Sequence, residues 1–179
     1  GFVIENGPDS FLARKTPIIE LTRELGMEDE LVRTGEHAGK TYIVLNGEVH
    51  PMPPGLVFGI PTDLDAFRKT SLLSAQGIER ALGETDVPPE PAEGDESLGR
   101  FLERRFGKEM LERIVEPLLA GIYACDLYAL SLLSTFPQFR QMEQAFGSVI
   151  RGMQESRKQA KPPAENPLPP ENDARGAPQ

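Results

Sequence analysis

The chain has 179 residues and a formal net charge of −9, from 19 Lys and Arg against 28 Asp and Glu. That balance argues against a nucleic-acid binder, because neutralising phosphates takes a net basic face. One cysteine excludes an internal disulfide, two isolated histidines supply no metal-ligand spacing, and no apolar run approaches the ~20 residues of a membrane span.

In chain order, Gly1 to Glu5 reads as a strand entering the turn Gly7-Pro8-Asp9-Ser10. The opening without Met, straight onto Phe2-Val3-Ile4, sets the expectation of a piece of something longer. Thr16 followed by Pro17 predicts a helix start, with Ile18, Leu21 and Leu25 at helical spacing and Gly26 as its stop. Thr41 to Leu45, then Asn46-Gly47, then Glu48-Val49-His50 predicts a hairpin, since Asn-Gly suits the positive φ values of a two-residue type I′ turn. Residues 51–61 are too rich in Pro for a regular element.

Gly and Pro number 17 each, and two stretches hold much of the proline. Residues 83–96 carry three prolines and six acids with no base, which predicts an exposed acidic loop. Residues 161–179 carry six prolines and one leucine, which predicts a disordered linker. Between them Ser97 is placed to cap a helix burying Leu98, Phe101, Leu102 and Phe106, which Gly107 breaks. Met110, Leu111, Ile114, Val115, Leu118 and Leu119 continue the stripe, with Pro117 marking a kink or restart. Thr135 with Pro137 predicts a further helix carrying Phe139, Met142 and Phe146, and Ser148 a last one with Val149, Ile150 and Met153. The fold class expected is α+β, mostly helical, with a small hairpin.

Taken alone these residues hold little catalytic machinery: no phosphate cradle, no nucleophile elbow and no metal spacing. His37 lies in a loop composition and His50 follows the second strand, where a hydrogen-bonded role is expected of it. Cys125 stands in an apolar context without a neighbouring base, which predicts an inert buried side chain. Residues 140–161 are locally basic, which predicts a solvated face and, as the alternative, a membrane-surface or acidic-partner face.

Three blocks in order change the functional reading. Ile4-Glu5 with Gly7-Pro8-Asp9-Ser10-Phe11-Leu12 resembles the segment after the dinucleotide-binding unit of amine-oxidase-type flavoproteins. Asn46-Gly47-Glu48-Val49-His50-Pro51-Met52-Pro53, followed by Gly59-Ile60-Pro61-Thr62, resembles the protoporphyrinogen/coproporphyrinogen oxidase family. Glu116-Pro117-Leu118-Leu119-Ala120-Gly121-Ile122-Tyr123-Ala124, then Leu130-Ser131 and Ser134-Thr135-Phe136-Pro137-Gln138-Phe139, resembles that family's EPLLxGIYAGD…LS…STFPQF signature. Cys125 stands where the signature has Gly.

The resemblance implies the helical middle portion of an FAD-dependent oxidase late in haem biosynthesis, lacking most of the Rossmann-type FAD domain. Residues 1–39 would be the edge of the FAD region and a first helix, and residues 40–160 the substrate-binding domain. Such enzymes take six electrons from a porphyrinogen in three two-electron steps and pass them to O₂. The match is to the branch that uses coproporphyrinogen III, with protoporphyrinogen IX as the alternative. It implies that Gly7, Pro8, Asp9 and Ser10 lie beside the flavin and that Leu118, Leu119, Ile122 and Tyr123 form an apolar wall for the macrocycle. It also implies a basic substrate contact near Lys40, with Thr41 an equal candidate. A cytoplasmic location, with ferrochelatase or a peripheral membrane contact as partner, completes the expectation. A non-catalytic helical docking module is the reading from another class.

Overall fold

The computed structural model describes Ile4, Phe11 and residues 16–32, 40–91 and 94–159. It divides into two compact units, Gly1–Gly39 with Ala160–Gln179, and Lys40–Gln159. The expected first strand (Ile4 apart, which is in no strand), the Gly7 to Ser10 turn, His37 and the Pro-rich residues 161–179 lie outside the described residues.

In the first unit α1 spans Thr16–Glu24, with Pro17 in the first turn where its missing N–H costs nothing. It stops as expected, at Gly26 with φ +68°. Ile19 is buried, whereas Ile18, Leu21 and Leu25 are exposed. A 3₁₀ turn at Glu28–Glu30 follows, and Glu28 pairs with Arg23 at 2.7 Å.

The second unit opens on the hairpin β1 (Tyr42–Leu45) and β2 (Glu48–Pro51), with Val44 opposite Val49. Asn46 at φ +53° and Gly47 at φ +83° form the expected type I′ connection. Ile43 faces the core, while Tyr42, Val44 and Val49 face outward. The Pro-rich passage is more regular than its composition suggests: β3 (Leu56–Val57) pairs with β4 (Ile60–Pro61). Pro61 sits where its lack of an N–H is tolerated, since each strand of this small ladder is an edge. Asp63 then caps the short α2 (Leu64–Phe67), and Ser74 caps α3 (Ala75–Leu82).

Helices build the rest. α4 (Leu98–Phe106) is capped by Ser97, and Leu98, Phe101, Leu102 and Phe106 are all buried, as the spacing predicts. The single turn α5 (Lys108–Met110) leads through a π-helical stretch, Leu111–Val115, into α6 (Glu116–Tyr123). Ser131 rather than Thr135 is the capping hydroxyl of the next segment: it starts α7 (Leu132–Thr135), and α8 (Pro137–Phe146) begins directly on Pro137. Phe139 is buried but Phe146 stays exposed. α9 (Val149–Gln159) closes the unit, burying Val149, Ile150 and Met153. The β1 and β4 isoleucines and the apolar faces of α2 to α9 share one buried cluster.

The expectation of an exposed acidic loop over residues 83–96 fails at both ends. Glu84 lies in a 3₁₀ turn, Gly83–Asp86, and is fully buried. Its carboxylate takes the Arg105 Nε at 2.6 Å, the Val149 N–H at 2.9 Å and the Ile150 N–H at 3.3 Å, together with the Ser148 hydroxyl. A negative charge set against the first N–H groups of α9 also complements that helix's dipole. Arg105, equally buried, donates besides to the carbonyls of Val87 and Gly147 at 2.9 Å each and reaches Glu143 at 3.4 Å. At the other end Glu96 takes Arg104 at 3.0 Å and Arg140 at 2.7 Å. Arg140 is therefore not part of a solvated basic face: it is buried, and its charge is matched by an acid that composition had placed in a loop. Acidic segments stay exposed for want of partners; here three arginines supply them.

Residues 127–131 pass close over the start of α4. Gly99 donates to the Leu127 carbonyl at 2.8 Å, and a Cβ at Gly99 would stand 2.9 Å from the Tyr128 ring. The Tyr128 hydroxyl donates to Glu103 at 2.8 Å. That hydrogen bond, with some burial and the nearby acids, holds the phenol's pKa up at about 12 against an ordinary 10.0. The folded chain therefore keeps this proton where the unfolded chain loses it. Its stabilising effect is complete below pH 10 and disappears as pH rises toward 12. Urea midpoints measured across that window should fall more steeply for the wild type than for Tyr128→Phe; parallel curves would show the bond contributes nothing.

Candidate functional site

The apolar wall expected on α6 begins with a backbone irregularity that the sequence explains. Pro117 has no N–H, and in a regular α-helix its ring would collide with the carbonyl of Arg113, four residues earlier. Widening Leu111–Val115 into a π-helix moves that carbonyl aside and lets the chain continue helically. The helix ends at Ala124, whose φ of +51° gives the left-handed closing residue usually supplied by glycine. The strained position is thus Ala124, one residue before the Cys125 that replaces the signature's Gly. Cys125 is exposed, so it is not the buried thiol its apolar neighbours suggested.

The structure places the expected wall residues differently from one another. Leu119 is fully buried in the core, Leu118 is half-buried and Tyr123 is 38% exposed. For Ile122 the backbone lies in α6 and the side chain is outside what is described. A surface on α6 is therefore presented by Leu118 and Tyr123, with Leu119 holding the helix down from beneath. Lys40 and Thr41 are exposed at the start of β1, where the Thr41 carbonyl accepts from the Met52 N–H at 2.8 Å and extends the ladder. They share no hydrogen bond or ring contact with the α6 residues among those described. Ile43, two residues on, does anchor in the same buried cluster as Leu119. His50 bonds through Nδ1 to the Ser71 hydroxyl at 2.9 Å, the hydrogen-bonded role expected of it. Gly7, Pro8, Asp9 and Ser10, expected beside the flavin, lie outside the described residues.

An aromatic column that sequence reading did not foresee supports this surface. Phe101 stacks on Phe139 with centroids 6.3 Å apart, and Phe139 on Phe136 at 5.0 Å, both nearly parallel. Arg104 lies over the Phe101 ring at 5.1 Å, a cation–π contact that joins the column to the buried charges. At the other end Tyr123 and Phe58 each meet Phe136 edge-on, at 5.9 Å and 5.5 Å. Phe101 and Phe139 were legible as core positions from their helical spacing. Phe58 was not, because it occupies the first central position of the β3–β4 turn at φ +51°, where Asn or Gly is the usual residue. For an aromatic side chain that conformation costs about 1–2 kcal/mol.

The site defined by these elements is a largely apolar, aromatic-backed surface with two polar positions near β1. Among the described residues no three of His, Cys, Asp and Glu come together to hold a metal ion. None of the described helices is long and apolar enough to cross a membrane. Such a surface is suited to binding and orienting an apolar ligand. The sequence profile of the flavin-containing amine oxidoreductases matches residues 1–167, and the chain belongs to that family.

Within it, the similar proteins are more particular. The chain is 47% identical over 159 residues to a coproporphyrinogen III oxidase of Bacillus subtilis (strain 168), covering 89% of this chain and 33% of the relative. It is 42% identical to the Staphylococcus aureus coproporphyrinogen III oxidase, covering 88% of this chain and 34% of that one. To protoporphyrinogen oxidase 1 of spinach chloroplasts (Spinacia oleracea) it is 34% identical, covering 94% of this chain and 29% of the relative. A solved structure from Exiguobacterium sp. 255-15 superposes with a TM-score of 0.74 at 39% identity, covering 86% of this chain and 34% of that one. The chain thus spans about a third of the length of the relatives it matches.

Proposed function

We propose that the protein carrying this chain oxidises coproporphyrinogen III to coproporphyrin III in haem biosynthesis, using bound FAD and passing the electrons to O₂. The observation that carries the reading is the 47% identity to the Bacillus subtilis enzyme, over a match of 159 residues that takes in both the hairpin and α6. When bound, FAD supplies the two-electron acceptor for each of the three oxidations. This chain's residues have the remaining work. Leu118 and Tyr123 present apolar surface to the macrocycle and keep water from it, and Leu119 fixes the height of α6 from below. Lys40 or Thr41 meets a propionate carboxylate at the open start of β1. Gly7, Pro8, Asp9 and Ser10 approach the flavin. The proposal includes a cytoplasmic protein, with ferrochelatase or a membrane surface as its neighbour.

The test is an aerobic assay of the full-length protein with coproporphyrinogen III and, separately, protoporphyrinogen IX, following porphyrin fluorescence and peroxide. The expected result is three peroxides per porphyrin, with the higher kcat/KM on coproporphyrinogen III. A preference for protoporphyrinogen IX would reassign the substrate, and no turnover of either would refute the proposal.

A further inference from the structure

Three backbone irregularities in the second unit converge on one place. The π-helical stretch ends at Val115, Ala124 takes a left-handed φ after Tyr123, and Phe58 takes one in the β3–β4 turn. Val115 lies directly under that turn, since a Cβ on Gly59 would stand 3.1 Å from its Cγ2. Tyr123 and Phe58 both lean edge-on against Phe136. Non-glycine residues held at positive φ gather where function over-determines the backbone, and an observed outlier is a reason to look for that function.

The fold does not ask for a ring at position 58. The turn is closed by its own strands, by Gly59 seated on Val115 and by Ile60, which is fully buried. Asn or Gly would satisfy the φ of +51° without strain. Phe58 meets Phe136 edge-on, yet it lies outside the buried cluster and remains 39% exposed. A residue unsuited to its turn, outside the buried cluster and substantially exposed is one whose exposed face is a candidate for its own purpose. Tyr123, the last residue of α6 and itself 38% exposed, meets the same Phe136 ring.

We infer that Phe58 is a substrate-contact residue, its ring and that of Tyr123 forming an aromatic edge against the pyrrole rings of the tetrapyrrole. The inference rests on the porphyrinogen reading above. Pyrrole rings offer an electron-rich face and an N–H edge, both of which pack well against aromatic rings in offset or edge-on geometry. The polar contacts at Lys40 or Thr41 would hold the carboxylates, and Phe58 the ring system they are attached to.

The experiment compares full-length wild type with Phe58→Gly, Phe58→Asn and Phe58→Tyr, reading steady-state kinetics with coproporphyrinogen III and urea midpoints on the same preparations. Expected for Gly and Asn is a KM raised by about fivefold or more with kcat within about twofold, because uniform binding is lost. Their urea midpoints should equal or exceed that of the wild type, since the turn then holds a residue suited to its φ. Phe58→Tyr, which keeps the ring, should restore KM. Unchanged KM in both Gly and Asn variants overturns the inference, and lowered midpoints with unchanged KM would show that the ring packs on the protein instead. A wild type that turns over no porphyrinogen refutes the functional reading and this inference with it. An active wild type whose Phe58 variants keep its KM refutes the inference alone.

Discussion

Replacing Arg105 by Ala is expected to lower stability by about 3–5 kcal/mol, the cost of breaking a buried ion pair by removing one partner. Arg105 and Glu84 are both fully buried, and Glu143 beside them is buried too. Without the guanidinium, among the described residues Glu84 keeps the Ser148 hydroxyl and the first N–H groups of α9, and Glu143 keeps Arg104. The carbonyls of Glu84, Val87, Pro88 and Gly147 also lose a donor. For a unit whose whole stability is of order 5–15 kcal/mol, that loss brings the chain close to unfolding at ambient temperature. Chemical denaturation gives the number. A loss below about 1 kcal/mol would mean that the residues relax to let water in, and would contradict the closed network described.

Phe139→Ala should cost a comparable 3–5 kcal/mol, the range for truncating a buried aromatic side chain. Phe139 is the middle of the column, stacked on Phe101 on one side and Phe136 on the other. Its removal leaves a void and also takes away the support under Phe136, on which Phe58 and Tyr123 rest. Phe139→Leu refills most of the volume and should recover more than half of the loss. Equal destabilisation by Ala and Leu would show that stacking, rather than volume, decides the position.

These two positions also mark the boundary of what the sequence discloses. Local signals were readable because their causes are local: Asn46-Gly47 chooses its turn, Ser97 caps the helix three residues from the N–H it accepts, and Leu98, Phe101, Leu102 and Phe106 repeat at one helix period. Phe139 was legible as core for the same reason. The charge network was not. Glu84 meets Arg105 across 21 residues and Glu96 meets Arg140 across 44, so window composition described one acidic loop and a basic face where the fold builds one linked, largely buried set. Phe58 was hidden for a different reason: its turn position contradicts its residue type, and propensity points away from it.

The candidate site divides along the same line. Leu118, Leu119 and Tyr123 were found through a family signature, and the signature does not say which face each one presents. The structure separates a supporting Leu119 from a surface formed by Leu118 and Tyr123, and it adds Phe136 as the base of that surface. The flavin-side residues Gly7 to Ser10 rest on resemblance alone.

The central claim is that this aromatic-backed surface serves a flavin enzyme that takes electrons from a porphyrinogen. It is tested most directly by mixing the full-length protein, loaded with FAD, with coproporphyrinogen III in the absence of oxygen. The account predicts that the flavin's visible absorbance bleaches on mixing as the substrate is oxidised, and that it returns, with the porphyrin bands and peroxide, when air is admitted. A flavin that stays oxidised in the presence of excess coproporphyrinogen III would contradict it.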